Sequence, residues 1–204
     1  MCKAGPGLVV DVGGRKQLFM DDDFLVEATL RVQVHMHQPA RHPENPLIVA
    51  DRPWETRQIG NIRGIMRDDE LYRIWYYASS KSGASYSIAY AVSNDGVRWK
   101  KPNLGLAEFE GSKENNLLFS STRPSSLNSV IKDYRENSLD KRYKALGSLP
   151  DKPGFHTAFS PDGLNWTISD SPAYRDSRAF DADNIVLWDN RIGLSLIHIS
   201  EPTR

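Results

Sequence analysis

Carboxylates and their neighbours are the side chains of this sequence with the clearest chemical use. Asp181 and Asp183 are separated by one residue, so both lie on one face if their segment is extended. Two aspartates that only accept loop hydrogen bonds would follow the same pattern. Glu55 directly follows Trp54, and an aromatic ring beside a carboxylate suits the apolar and polar faces of a sugar. The alternative is a tryptophan packed in the core beside an exposed glutamate.

Three further polar side chains are candidates to contact the same ligand. Arg57 and Arg63 could bind sugar hydroxyls or a carboxylated sugar, since a guanidinium group presents several donors in one plane. Asn128 could donate a hydrogen bond to a hydroxyl group. The alternatives are ion pairs between the arginines and neighbouring acids, and the capping of a loop by Asn128.

Two other clusters have the composition of metal sites without the spacing. The three aspartates of residues 21–23 are consecutive, so neighbours point to opposite faces, which favours a turn over a calcium site. His35 and His37 would share a strand face, but neither His42 nor a carboxylate completes a zinc site at a useful spacing. We therefore expect no metal, and no cofactor either, because no phosphate loop, dinucleotide fingerprint or nucleophile elbow occurs.

The composition narrows the class of protein. The 204 residues carry 26 Lys and Arg against 26 Asp and Glu, and this balance favours neither a nucleic acid nor an anionic membrane as partner. A hydrophobic content of 39% is enough for a packed core, and the single cysteine, Cys2, excludes an intrachain disulfide. The first residues lack the apolar segment of a signal peptide, which leaves a cytoplasmic location or a lost leader, and the oligomeric state stays open.

Strands are the elements that must position these side chains. Residues 71–77 and 86–92 are rich in aromatic and β-branched residues and are bounded by turns, whereas no segment sustains a helical period. Residues 8–10 and 17–20 flank two glycines, which indicates a hairpin.

A repeat organises these strands. The pattern S-x-D-G-x-x-W occurs at residues 93–99 and 160–166, each time after a short alternating strand. Upstream, apolar strands end at Asp68, Asp133 and Asp189, and a new strand follows each time. Units of about 60 residues with four strands are typical of propeller blades, which must pack in a ring to bury both faces.

With the repeats, the chain resembles the five-bladed β-propeller glycosidases, which include the β-fructosidases of glycoside hydrolase family 32 and the arabinosidases and xylosidases of family 43. The likeness is strongest to uncharacterised bacterial proteins that are similar to family 32. It rests on short segments at residues 17–22, 45–48, 53–55, 73–76, 93–96, 142–145, 183–184 and 188–189. The resemblance implies an all-β fold, here a partial five-bladed propeller of about two blades plus the start of a third.

The resemblance also implies a site. In that superfamily, carboxylates at the starts of the innermost strands face an axial funnel, where one acts as nucleophile or base and another as acid on a glycosidic bond. The implied catalytic residues are Glu55, Asp181 and Asp183, with Trp54, Arg57, Arg63 and Asn128 holding the carbohydrate substrate. The W-M-N-D-P-N-G, R-D-P and E-C motifs of characterised β-fructosidases do not occur, so a non-catalytic carbohydrate-binding propeller or a protein-interaction propeller is the alternative.

The sequence predicts three regions. Residues 1–53 form a hairpin and a connection, and residues 54–193 form an incomplete propeller. Residues 194–204 match, codon by codon, the translation of a transposase adapter used in DNA library preparation, so we expect a non-native tail and a chain truncated at its C-terminus. The alternative is a native strand, since residues 194–199 alternate in polarity.

Overall fold

A computed structural model describes residues 35, 37–82, 86–119, 126–149, 152–175, 184–189 and 193–198. The chain divides into two compact units, residues 1–42 and residues 43–204. Nearly all of the first unit lies outside the described residues, including the hairpin predicted over residues 8–20 and the aspartates of residues 21–23. The described strands and 3-10 turns all belong to the second unit.

The first sheet is a meander of three antiparallel strands, β1 (Gln58–Asp68), β2 (Leu71–Ser79) and β3 (Tyr86–Ser93), in that order. The aromatic and β-branched runs of the sequence form β2 and β3, as predicted. Asp69, with a φ of 54°, makes the tight turn from β1 to β2. An irregular segment lies along the outer edge of β3, where Leu118 N donates to Ile88 O over 2.8 Å.

The second sheet is a complete meander of four strands, β4 (Ser126–Lys132), β5 (Tyr143–Leu149), β6 (Lys152–Ser160) and β7 (Thr167–Tyr174). A third sheet begins with β8 (Ile185–Asp189), which pairs with β9 (Leu194–His198). Strand β9 is formed by residues that the sequence assigns to an adapter-derived tail, and their alternating polarity is compatible with strand pairing whatever their origin. Short 3-10 turns at Pro53–Glu55 and Leu139–Lys141 complete the described elements.

The repeat forms the same turn twice. At residues 93–99 and 160–166, one carboxylate oxygen accepts the backbone N–H groups two and three residues ahead, at 2.8 and 2.7 Å for Asp95 and at 2.8 Å each for Asp162. The final tryptophan donates its indole N–H to the carbonyl of the glycine in its own repeat, at 3.1 and 2.9 Å. The two aspartates therefore have a structural role in ending β3 and β6.

The sheets pack face to face around Trp75, which is fully buried. Its indole nitrogen donates to the Gly163 carbonyl in the repeat turn of the second sheet over 2.7 Å, and its ring lies 5.4 Å from Tyr90 and 6.4 Å from Tyr143. The aliphatic side chains of Ile88 and Leu127 belong to the same core cluster. The aromatic residues of one sheet are thus buried by the next sheet along the chain.

The first strands of successive sheets lie side by side. A Cβ on Gly64 in β1 would come within 2.7 Å of the Val130 Cβ in β4, so only a glycine allows this approach. The Ser129 hydroxyl of β4 accepts a hydrogen bond of 2.8 Å from Val186 N of β8. Antiparallel meanders whose first strands adjoin are the arrangement of propeller blades, and the all-β class predicted from the sequence is confirmed.

A buried carboxylate also joins the first two sheets. Asp68, at the end of β1, accepts hydrogen bonds from the Lys132 ammonium group and the Tyr143 hydroxyl of the second sheet. Arg73 of β2 completes the group, with Nε 3.0 Å from Asp68 Oδ2.

Among the described residues, no helix is long and apolar enough to cross a membrane.

Candidate functional site

Glu55 lies in the 3-10 turn that precedes β1, and its side chain is completely buried. One carboxylate oxygen accepts the Tyr76 hydroxyl over 2.7 Å. The other accepts Lys101 Nζ over 2.6 Å and the backbone N–H of Asp51 over 3.2 Å. Both oxygens of Glu55 are therefore occupied by protein donors.

Lys101 balances two acids at once. Its ammonium group also donates to Asp51 Oδ1 over 2.6 Å and to the carbonyl of Val49 over 2.7 Å. The hydrogen bond from Lys101 lowers the pKa of Asp51, whereas burial and then the charge of Glu55 raise the pKa of Tyr76 far above its usual range. We call Asp51, Glu55, Tyr76 and Lys101 the Glu55 cluster.

Trp54 extends this network into the core. Its indole nitrogen donates to Asn116 Oδ1 over 2.7 Å, and its ring meets the edge of Phe109 at 5.9 Å. The Asn116 amide in turn donates to the Tyr76 hydroxyl over 3.0 Å and to the Tyr90 carbonyl over 2.7 Å. Trp54 thus packs half-buried against the core, but Glu55 beside it is buried and not exposed as the alternative for this pair expected.

Arg57 and Arg63 lie at the other face of the sheet. Arg57 precedes β1, and its guanidinium carbon is 5.9 Å from the centre of the Tyr86 ring. Arg63 lies in β1, and its guanidinium carbon is 4.0 Å from the centre of the Tyr77 ring. The two rings are themselves 5.9 Å apart, so both arginines border one aromatic pair.

These rings line a pocket of about 200 Å³ that we call the tyrosine pocket. It lies where β1 begins, β2 ends and β3 begins, and it is lined by Gln58, Gly60, Asn61, Tyr77, Ser79 and Tyr86. The Ser79 hydroxyl is buried and has no hydrogen-bond partner among the described residues. The pocket thus combines two aromatic rings, two amides and one unsatisfied hydroxyl group.

A second pocket, of about 320 Å³, lies beside the Glu55 cluster and is bordered by Trp99 and Lys100. The Trp99 indole N–H is bonded to the repeat turn. The Lys101 ammonium group, which also belongs to this pocket, is held by the two acids of the cluster. The Trp99 indole and the Lys101 ammonium group are therefore engaged within the protein.

Asn128 is buried in β4, with 7% of its surface exposed, at the residue before a bulge where Ser129 has a φ of 54°. Arg63 lies within a bulge in β1, between Ile62 and Gly64, where the register against β2 shifts. Asn184, at the corresponding place before β8, is also buried. The three sheets thus bring polar side chains to equivalent positions at their first strands.

Asp181 and Asp183 lie outside the described residues. The described residues contain no group of three His, Cys, Asp or Glu side chains that could hold a metal ion. His156, which the sequence places in the strand before the second repeat turn, is fully buried, and its Nδ1 lies 2.7 Å from the Ser169 carbonyl.

Sequence reasoning missed the aromatic and hydroxyl groups of the tyrosine pocket and also missed Lys101. The alternation of Trp75, Tyr77 and Ser79 along a strand already places these three on one face, so that signal was available. No comparable signal exists for Lys101, which reaches Glu55 from an irregular segment distant in sequence.

No family model matches the chain, so membership of family 32 or family 43 stays a prediction. No curated protein matches it either. A solved structure with 19% sequence identity and a TM-score of 0.41 is described by the words "The GH130 family of mannoside phosphorylases contains glycoside hydrolases that target beta-1,2 mannosidic linkages in Candida mannan". The match covers 65% of this chain and 40% of that one, and likeness at this level does not assign the chain to that family.

Proposed function

We propose that this chain is part of a carbohydrate-active β-propeller and that the tyrosine pocket binds one sugar unit. The observation that carries the proposal is the set of groups around the pocket, namely the rings of Tyr77 and Tyr86, the amides of Gln58 and Asn61, and the buried Ser79 hydroxyl. Aromatic faces pack against the C–H face of a sugar ring, while amides and hydroxyls exchange hydrogen bonds with its hydroxyl groups.

The position of the pocket agrees with the resemblance in the sequence. In glycosidase propellers the sugar lies at the starts of the innermost strands, and the tyrosine pocket lies at the start of β1. Because β1 adjoins β4 and β4 adjoins β8, a ligand in this pocket would be next to the polar positions of the neighbouring sheets. A glycan of several units would then extend from the tyrosine pocket along those strand starts.

The more specific part of the proposal is that the protein hydrolyses a glycosidic bond. General acid/base cleavage of a glycosidic bond needs two carboxyl groups about 5–9.5 Å apart, one protonated and one ionised. Because both oxygens of Glu55 are engaged by protein donors, we assign the acid and the base to Asp181 and Asp183. Glu55 then acts as a positioning residue that holds the turn before β1, together with Trp54.

Binding is tested first with the unmodified chain on an array of oligosaccharides, followed by calorimetry with the strongest binder. Replacing Tyr86, which is 45% exposed, by leucine should weaken binding by up to about tenfold, because a stacked ring contributes about 0.5–1.5 kcal/mol beyond the area that it buries. Tyr134→Leu is the matched control, since that ring is 62% exposed, has a cation 5.0 Å from its centre and lies outside the pocket. Equal affinity of the two variants for the same glycan would contradict the assigned pocket.

Catalysis is tested by the release of a chromogenic aglycone from aryl glycosides. Asp183→Asn and Asp181→Asn should abolish any turnover and leave glycan affinity within about threefold of the unmodified chain, because an amide keeps the size of the carboxyl group but transfers no proton. Binding without turnover in the unmodified chain would favour the non-catalytic carbohydrate-binding propeller.

A further inference from the structure

Ser79 lies at the floor of the tyrosine pocket. In the register of the sheet it is opposite Gln58 of β1 on one side and Tyr86 of β3 on the other, and both of these longer side chains line the pocket. Directly opposite residues of antiparallel strands share a face of the sheet. The short serine therefore leaves a depression between an amide and an aromatic ring.

The hydroxyl group of Ser79 is not used by the fold. It is buried and has no hydrogen-bond partner among the described residues. Two other buried serines of the same sheet do have partners, since Ser87 donates to the Phe119 carbonyl over 2.7 Å and Ser93 donates to Asp95 over 2.9 Å. An unpaired buried hydroxyl is unfavourable for folding, and exceptions of this kind are expected at functional sites.

The aromatic rings determine how a sugar would stand on this floor. One face of Tyr77 is covered by the Arg63 guanidinium group at 4.0 Å, whereas Tyr86 is 45% exposed and is the ring that a ligand reaches most easily. Side chains of a strand stand roughly perpendicular to the sheet, and the plane of such a ring then does so too. A sugar stacked on Tyr86 would therefore turn one edge of its ring towards Ser79.

From this geometry we infer that Ser79 is a specificity-determining residue, which requires an equatorial hydroxyl group on the buried edge of a pyranose unit. Equatorial hydroxyls extend along the edge of a chair, whereas axial ones project from its faces, where Tyr86 would stack. Rotation about χ1 moves the serine oxygen between staggered positions, so it can turn towards the ligand. This inference rests on the proposed function, because it names the substrate class of the same pocket.

The test compares methyl pyranosides that differ at a single carbon. The parents are the methyl glycosides of glucose, galactose, mannose and xylose, each with its monodeoxy derivatives and with the epimers in which one equatorial hydroxyl is axial. Affinities for the unmodified chain are measured by titration followed by NMR of the sugar protons. For the parent that binds most tightly, the deoxy derivative and the epimer at one common carbon should each bind about tenfold more weakly or worse.

Ser79→Ala should remove this discrimination. The variant should bind the parent about tenfold more weakly, and should bind the parent and the deoxy derivative at that carbon within about twofold of each other, since neither can bond to alanine. Ser87→Ala is the matched control, because Ser87 is also buried but lies opposite Ala78, on the other face of the sheet. It should keep the discrimination of the unmodified chain.

The stability of the free chain gives a readout that needs no sugar. Ser79→Ala should leave the urea midpoint unchanged or raise it, because the variant removes a buried hydroxyl without a partner. Ser87→Ala should lower the midpoint, because the Phe119 carbonyl loses its donor. If Ser79→Ala lowers the midpoint as much as Ser87→Ala does, the hydroxyl serves the fold and the inference fails.

The outcomes separate the inference from the proposed function. If Tyr86→Leu weakens binding but every deoxy derivative binds as its parent does, the sugar pocket stands and Ser79 does not set its specificity. If the deoxy derivative loses affinity and the axial epimer at the same carbon does not, the requirement for an equatorial hydroxyl fails. If none of the four parents binds, both the inference and the proposed function fail.

Discussion

The carboxylate group of Glu55 is completely buried. A buried carboxylate without a partner is strongly destabilising, so the folded turn at Pro53–Glu55 depends on the partners of Glu55. Lys101 supplies the positive charge, and only 7% of its side chain is exposed. The ion pair therefore ties the segment before β1 to the irregular segment after the first repeat turn.

Removing the cation tests this role at the residue scale. Lys101→Met should lower the free energy of unfolding by about 3 kcal/mol or more, since breaking a buried pair leaves an uncompensated charge. Urea unfolding followed by circular dichroism measures the change. The double variant Lys101→Met with Glu55→Gln should recover part of the loss, because the charge that lacks a partner is also removed.

Lys152→Met is the control for this prediction. Lys152 also pairs with an acid at 2.6 Å, but the side chains of Lys152 and Asp170 are 43% and 89% exposed. Exposed pairs contribute about 0–1 kcal/mol, so this variant should unfold almost as the unmodified chain does. A Lys101→Met variant as stable as Lys152→Met would show that Glu55 does not depend on its cation.

At the scale of the elements, the two repeat turns have one backbone geometry and different surroundings. Gly96 and Gly163 have φ values of 74° and 79°, which disfavour a side chain in both turns. A Cβ on Gly96 would meet the Tyr72 ring at 3.9 Å, an ordinary contact. A Cβ on Gly163 would meet the Trp75 ring at 2.8 Å, because that turn packs on the neighbouring sheet.

The pair of alanine variants should separate local strain from packing between sheets. Gly96→Ala should cost about 1 kcal/mol of stability through the backbone alone. Gly163→Ala should cost about 1–3 kcal/mol more, because Trp75 must shift in a full core. Urea unfolding of both variants gives the difference, and equal costs would mean that the second turn does not bear on Trp75.

The elements were largely predictable from sequence, and the contacts between them were not. The alternation of aromatic and β-branched residues predicted β2 and β3, and the S-x-D-G-x-x-W pattern predicted both turns. Strand alternation is a local property and can be read from neighbours in sequence. The bulge at Ser129 and the burial of Asn128 depend on strands that meet after folding, and no local pattern indicates them.

For the candidate site too, the sequence predicts some of the residues but not the contacts that they make. The sequence predicts Glu55, Arg57 and Arg63 as site residues because their types suit a sugar and because they lie at or before the start of an innermost strand. The structure brings both arginines to one pair of tyrosine rings and gives Glu55 a cation on the opposite face. Glu55 contacts Tyr76 and the pocket is lined by Tyr77, which follows from the alternation of side chains along β2, but no local pattern indicates which of these rings each candidate residue meets.

At the scale of the whole molecule, Asp68 forms the buried polar contact between the first two sheets. Burial alone would raise its pKa, but the hydrogen bonds from Lys132 and Tyr143 and the charge of Arg73 lower the pKa below its usual value of 3.8. A carboxyl group with a lowered folded-state pKa stabilises the fold above its unfolded-state pKa. That contribution disappears as the pH falls through the folded-state value.

Replacing this aspartate should therefore weaken the contact between the sheets in a pH-dependent way. Asp68→Asn should lower the free energy of unfolding by about 3 kcal/mol at pH 7, since Lys132 and Arg73 lose their shared anion. The gap between variant and unmodified chain should stay constant from about pH 5 to 7, begin to narrow near about pH 4, where the aspartate of the unfolded chain takes up a proton, and close as the pH falls through the lowered pKa of folded Asp68. Urea midpoints measured across about pH 2–7 give the profile.

Asp69→Asn is the control, because Asp69 is the exposed neighbour and asparagine also tolerates its φ of 54°. It should leave stability unchanged at every pH. A gap for Asp68→Asn that persists at about pH 2 would locate its effect in packing and not in charge. A gap that narrows at low pH for Asp68→Asn and stays absent for Asp69→Asn would mean that the contact between the first two sheets depends on one ionised carboxylate.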